Sequence, residues 1–146
     1  MADKSNALSR EEREEFLSEP HIAALSVDSG EEGRAPLTLP IWYQYEPGGE
    51  LWVMTGTTSR KGVLLTKAGR FSLMVDRMVP TVRYVSVEGP IVSVEPATLA
   101  ELEEITRRYL PPERVAAYVE SAVAVFGEQS VFRMRPQRWL TADLGS

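Results

Sequence analysis

The strongest constraint on this chain is a succession of short apolar alternations separated by glycine and proline turns, because a segment with a side-chain period of two must bury one face of a sheet. Leu37, Leu39, Ile41, Tyr43 and Tyr45 fall on one face of such a segment, and Thr38, Pro40, Trp42 and Gln44 on the other. Residues 21–27 form a buried strand ahead of it, ended by the turn-rich stretch 28–33, and Pro47-Gly48-Gly49 turns it back into a further strand over 50–56. Both junctions predict hairpins. Pro40 has no N–H to give to a ladder, so it marks an edge, a bulge or a place where a ligand replaces strand pairing. Residues 70–76 read as a third return strand. Residues 82–95 read as a long strand broken at Gly89-Pro90, in the manner of a bulge or barrel corner. Residues 129–134 and 138–142 complete the set.

Helical signals are fewer and grouped. Ser9 with Glu12 is a capping box before Phe16 and Leu17, and Thr98 with Glu101 is another before the stripe Leu99, Leu102, Ile105 and Tyr109. Ser59 is a candidate N-cap for a helix through Ala68, with Val63, Leu64 and Leu65 apolar and Gly69 as its stop. Pro112 opens a last helix in which Val115, Tyr118, Val119, Ala122, Val123 and Phe126 repeat at helical spacing before Gly127. Five to seven strands, with helices at the start and near the end, predict an α+β fold built on an antiparallel barrel. A chain of 146 residues holds one such domain, over 9–143, after a short polar tail at 1–8.

Composition narrows the chemistry. There is no cysteine and one histidine, His21, so thiolate catalysis and disulfides are out, and a metal cage or a Ser-His-Asp triad is hard to assemble. The net charge of −5 argues against nucleic-acid binding and against an oligonucleotide-binding barrel of similar size. No run approaches the ~20 apolar residues of a membrane span, and the first residues lack a secretory signal, so a cytoplasmic protein is expected. Charge is unevenly spread. Residues 60–87 carry Arg60, Lys61, Lys67, Arg70, Arg77 and Arg83 against Asp76 alone, a local net of +5.

That block begins at Thr55-Gly56-Thr57-Thr58-Ser59-Arg60-Lys61-Gly62, a strand-to-helix junction. Unpaired N–H groups and the positive end of a helix dipole favour an anion there, and two adjacent cations reinforce it. Cations in a first turn oppose the dipole by ~0.3–1 kcal/mol each, so a phosphate is the natural compensation. The glycines do not frame a Walker A loop. Pro40 and Trp42 share one side of their strand and offer a flat apolar wall for a ring, although core packing is the commoner role of an aromatic in a strand. Tyr43, Tyr84 and Trp139 carry the same ambiguity.

Residues 33–43, 51–56, 59–61, 84–89 and 136–139, taken in order and spacing, resemble the pyridoxamine 5'-phosphate oxidase-like split β-barrel superfamily, and within it the flavin/deazaflavin oxidoreductases of type B. The resemblance implies an FMN-binding split barrel with peripheral helices, assembled as a homodimer with two cofactor sites at the interface that hold FMN or the deazaflavin coenzyme F420. It implies a ring between strands carrying Leu39, Pro40, Ile41 and Trp42, and a phosphate on Thr55, Ser59, Arg60 and Lys61. Arg138 and Trp139 would come from the partner subunit, with Arg83 as a further cofactor-binding candidate. The Arg60-Lys61 pair after a Thr/Ser run and the Pro40-Ile41-Trp42 strand are more similar to deazaflavin-binding members than to FMN oxidases. The expected activity is therefore F420-dependent hydride transfer with a small electron-poor substrate, no metal, and a proton from water or Tyr43. An FMN-dependent oxidase or reductase and a non-catalytic flavin or deazaflavin carrier are the alternatives. The loop at 76–82 is the expected source of substrate contacts.

Overall fold

The computed structural model describes residues 6–145. Its strands are β1 (Ala23–Val27), β2 (Leu37–Ile41), β3 (Tyr43–Tyr45), β4 (Leu51–Gly56), β5 (Arg70–Arg77), β6 (Val82–Pro96), β7 (Gln129–Met134) and β8 (Arg138–Gly145). Its helices are α1 (Arg10–Ser18), α2 (Arg60–Ala68), α3 (Leu99–Tyr109) and α4 (Pro112–Val125). The strands follow the order β2-β1-β5-β6-β7-β4-β3, with β8 also paired to β6, and all pairings are antiparallel. The eighth strand beyond the five to seven expected arises because the alternating segment is cut in two at Trp42.

That cut and the length of β6 together curl the sheet into a split barrel. The first half of β6 lies between β5 and β8, whereas its second half pairs with β7. At the other side, β2 pairs with β1 and β3 with β4, with only Trp42 between them. The two ends of the sheet are thus held together by the chain itself rather than by a ladder. β6 runs unbroken for 15 residues, but the corner expected at Gly89-Pro90 is where its pairing passes from β5 and β8 to β7, and a register shift follows between Ile91 and Ser93. Gly89 is needed there for another reason. A Cβ on it would overlap the Arg135 carbonyl oxygen, so only glycine lets the β7–β8 connection approach.

Residues directly opposite across a ladder share a face. Leu39, Leu25, Leu73, Val87 and Trp139 make an inner row, and Pro40, Ala24, Met74, Ser86 and Leu140 the neighbouring outer row. The inner rows, with Phe16 and Leu17 of α1 and Leu64 and Leu65 of α2, form the main core. Val63 is left 51% exposed, so α2 buries Gly62, Leu64 and Leu65 instead of the expected three. A smaller core on the outside of β4 and β7 joins Trp52 and Val131 to Ile105 of α3. Both capping boxes, the Ser59 cap and the left-handed Gly69 stop form as the sequence predicts. Most of the expected tail lies outside the described residues, but Leu8 at its end is buried and its N–H donates to Thr141 Oγ1 at 3.0 Å.

The ends of β5, β6 and β8 meet at Asp143. Its carboxylate accepts from the Gly145 N–H at 2.9 Å, from Arg83 Nε at 2.8 Å and from Thr81 Oγ1 at 2.9 Å, with Arg77 at 3.6 Å. The Gly145 N–H first, then Arg83, hold its carboxyl down from 3.8 to about 2. A carboxyl depressed in the folded state contributes stability above its unfolded value and loses it as pH falls through the folded one. Acid unfolding between pH 3.8 and about 2 should therefore be steeper in the natural chain than in Asp143→Asn, as followed by circular dichroism. Gly89→Ala should cost about 1–3 kcal/mol, the usual range for overpacking, read as a lower urea midpoint at unchanged slope.

Candidate functional site

A cavity of about 1020 Å³ opens between the Trp42 corner, the C-terminal end of β4, the start of α2 and the α3–α4 hairpin. Its walls are set by hydrogen bonds that tie α3 to the corner. The Tyr109 hydroxyl accepts from the Tyr43 N–H at 3.1 Å and donates to the His21 carbonyl at 2.8 Å. Its ring stacks on Trp42 at 4.7 Å between centroids and 13° between planes, and Tyr118 of α4 meets the same indole at 5.4 Å. Next to it, Arg108 donates to the Ser18 and Glu19 carbonyls at 2.7 and 2.8 Å and to Gln44 Oε1 at 3.0 Å. A cation on the orphan carbonyls at the end of α1 is a favourable C-terminal cap. Its Nε is buried without an acceptor.

One wall of the cavity is built by the β4–α2 junction. Ser59 Oγ accepts from the Gly62 N–H at 3.1 Å and donates to the Gly56 carbonyl at 2.8 Å, and it lies 3.3 Å from Thr55 Oγ1. Thr57 Oγ1 meets Ser130 Oγ at 2.8 Å, fixing the turn to β7. The Ser59 cap takes the third N–H of the helix, so those of Arg60 and Lys61 have no intrahelical acceptor. A Cβ on Gly62 would overlap the Gly56 carbonyl oxygen, so the helix start is seated against the turn more closely than any other residue allows.

The expected site residues divide. Pro40, Ile41, Trp42, Thr55, Ser59 and Lys61 line this one cavity. Arg60 does not; its guanidinium leans to Glu31 at 4.0 Å. Leu39 sits on the inner row, pointing to the core. Arg83 is held by Asp143 where β5, β6 and β8 meet, and it does not line the cavity. Arg138 is exposed on the outer face of β8, and Trp139 packs inward, edge-on to Tyr45 at 6.3 Å and beneath Arg13 at 4.4 Å. Met78 and Val79, in the loop expected to meet substrate, are 80% and 81% exposed and lie outside the cavity wall. Tyr43 cannot supply a proton. It is fully buried, its hydroxyl donates to the Leu17 carbonyl at 2.6 Å, and desolvation raises its pKa well above the ordinary phenol value. Sequence reasoning missed Met54 and Gln129, and took the cavity-facing residues of α3 and α4 for core. Among the described residues, no group of three or more His, Asp or Glu could hold a metal ion, and no helix is long and apolar enough to cross a membrane.

The arrangement can hold an elongated ligand with an anionic end. First-turn N–H groups, Lys61 and the hydroxyls of Thr55 and Ser59 suit a phosphate, and Pro40, Ile41 and Trp42 suit a flat ring. A phosphorylated flavin or deazaflavin has both parts, and the residues present fit it.

Gly62→Ala tests the seating of this end. Alanine gains about 1 kcal/mol of helix propensity over glycine, but the overlap is with backbone that must move, at about 1–3 kcal/mol. Net destabilisation in urea is expected.

Comparison with known proteins agrees with this architecture. The family model described as pyridoxamine 5'-phosphate oxidase matches residues 9–143. A conserved hypothetical protein, Rv2991 from Mycobacterium tuberculosis, superposes with a TM-score of 0.73 at 23% identity, covering 98% of this chain and 88% of that one. A structure described as an F420 reductase gives 0.67 at 18% identity over 87% and 94% of the two chains. A FAD-binding protein (mll6688) from Mesorhizobium loti gives 0.64 at 17% identity over 95% and 97%. No curated protein matches the chain.

Proposed function

The chain belongs to the pyridoxamine 5'-phosphate oxidase family, and on that footing we propose that it is a coenzyme F420-dependent oxidoreductase. The observation that carries this reading is the single cavity in which the start of α2, with Lys61, and the Pro40-Ile41-Trp42 wall face the same space. Lys61 and the free N–H groups of Arg60 and Lys61 would take the cofactor's phosphate, with Thr55 and Ser59 ordering the turn. Trp42, held by Tyr109, would set the height of the ring and exclude water from one of its faces. When bound, the deazaflavin supplies hydride chemistry; the protein supplies orientation and a dry wall. The acceptor's proton comes from water, since Tyr43 is sealed in the core.

The structural similarity to an F420 reductase supports the deazaflavin. The similarity to a FAD-binding protein keeps a flavin as the second reading. A homodimer in the cytoplasm belongs to the proposal. The outer row with Met74 and Leu140, 36% and 66% exposed, is the face a second copy would cover, and Arg138 stands on that same face.

Fluorescence titration with F420 and with FMN, each added to the purified protein, tests the choice: tighter binding of F420 is expected, and binding of neither would remove the oxidoreductase reading. Lys61→Ala should weaken cofactor binding about 10- to 150-fold, the equivalent of one charge-assisted contact of ~1.5–3 kcal/mol. Arg60→Ala should cost less, because that guanidinium is turned toward Glu31. Equal losses would place the phosphate differently.

A further inference from the structure

Among the described residues, the charged ones that line the cavity are Lys61 and Glu128, and their signs cancel. Glu128 arrives from the end of α4. The helix is capped at Phe126, Gly127 turns the backbone with a left-handed φ of 66°, and the Glu128 carbonyl then accepts the Thr57 N–H at 3.0 Å. Gln129 follows, paired with Gly56, and its carbonyl accepts the Ala97 N–H at 2.9 Å. Backbone bonds therefore fix Glu128 against the turn that carries Ser59 and the start of α2.

Its side chain does none of that fixing. Among the described residues, neither Glu128 nor Lys61 has an ion-pair partner, whereas Glu31, Glu88, Glu101 and Asp143 each stand beside an arginine. A carboxylate that the fold does not use thus stands at the wall where an anion would sit. Lys61 gives that wall one positive charge and the helix start about half of one more, and Glu128 takes one away, leaving about half. Arg60 adds little, because its guanidinium leans to Glu31 at 4.0 Å. The cost of stripping water from an ion grows as the square of its charge, so a doubly charged phosphate costs about four times as much to seat as a singly charged one. Half a positive charge suits the second and not the first.

We propose that Glu128 is a specificity-determining residue: through it the cavity takes a phosphate with one negative charge, a diester, in preference to the doubly charged monoester. The proposal rests on the reading of this cavity as the site of a phosphorylated ring cofactor, and adds which kind of phosphate it accepts.

Riboflavin, riboflavin 4',5'-cyclic phosphate and FMN share a ring and a sugar-alcohol chain, and carry none, one and two negative charges at pH ~8, above the second phosphate pKa of about 6. Each is titrated into the purified protein at low salt, with binding followed by flavin fluorescence. The cyclic diester should bind at least about threefold more tightly than FMN. Glu128→Gln, at an exposed position and checked for an unchanged thermal melt, should tighten FMN about two- to fivefold more than the cyclic diester and leave riboflavin unchanged. Salt at ~0.5 M should shrink that difference, because an exposed charge is screened. Glu120→Gln removes the same charge from α4 outside the cavity and should leave the ratio as it was. A cyclic diester that does not bind, a preference for FMN in the natural chain, a ratio indifferent to Glu128→Gln, or a riboflavin affinity that moves with it would overturn the proposal. The cofactor reading falls separately, if neither FMN nor F420 binds.

Discussion

One hydroxyl holds the corner on which the cavity depends. Where the chain leaves the β1–β2 ladder for the β3–β4 ladder, Tyr109 receives the Tyr43 N–H and donates to the His21 carbonyl. Without such a partner, buried backbone groups at the switch would be unsatisfied, at about 1–3 kcal/mol each. The same residue stacks on Trp42, so the bond that lets the sheet change direction also orients the wall of the cavity. Arg108 reinforces it from the next position by clamping the end of α1. Fold and candidate site are coupled through two adjacent residues at the end of α3.

From that corner the electrostatics follow. An acidic chain keeps a basic segment at the start of α2, against the preference of the helix dipole, and seats it tightly through Gly62. The residues that α3 and α4 turn to the same cavity are uncharged. The cavity therefore combines Lys61 and Glu128 with a lining that is otherwise uncharged. The Asp143 cluster, though equally rich in charge, satisfies its own bonds and serves to tie the ends of three strands.

Much of the fold was legible because its signals are short-ranged. The reciprocal bonds of Ser9–Glu12 and Thr98–Glu101, the Ser59 cap and the Gly69 stop each involve residues within a few positions, and all form. Alternation over 37–45 correctly separated Ile41, Tyr43 and Tyr45 from Pro40 and Trp42. The candidate site was legible at Pro40, Ile41, Trp42, Thr55, Ser59 and Lys61 as a set of cavity-lining residues. It was not legible at Arg60, whose neighbour Glu31 comes from a separate turn, or at Arg83, whose partner Asp143 lies 60 residues away. Tyr43 was misjudged for a similar reason, since an alternating tyrosine reads the same whether its hydroxyl meets solvent or a helix carbonyl.

By itself the sequence determined the elements, their caps and the position of the Arg60-Lys61 helix start, because periodicity and capping are decided by neighbours along the chain. The tertiary structure alone decided which of two adjacent cations lines the cavity, that β6 belongs to both halves of the barrel, and that part of an apolar helical stripe stays open. Those outcomes depend on register and on contacts between distant elements. An apolar residue facing a packed neighbour and one facing an open cavity obey the same periodicity, and only the packing of α3 and α4 against the Trp42 corner separates them.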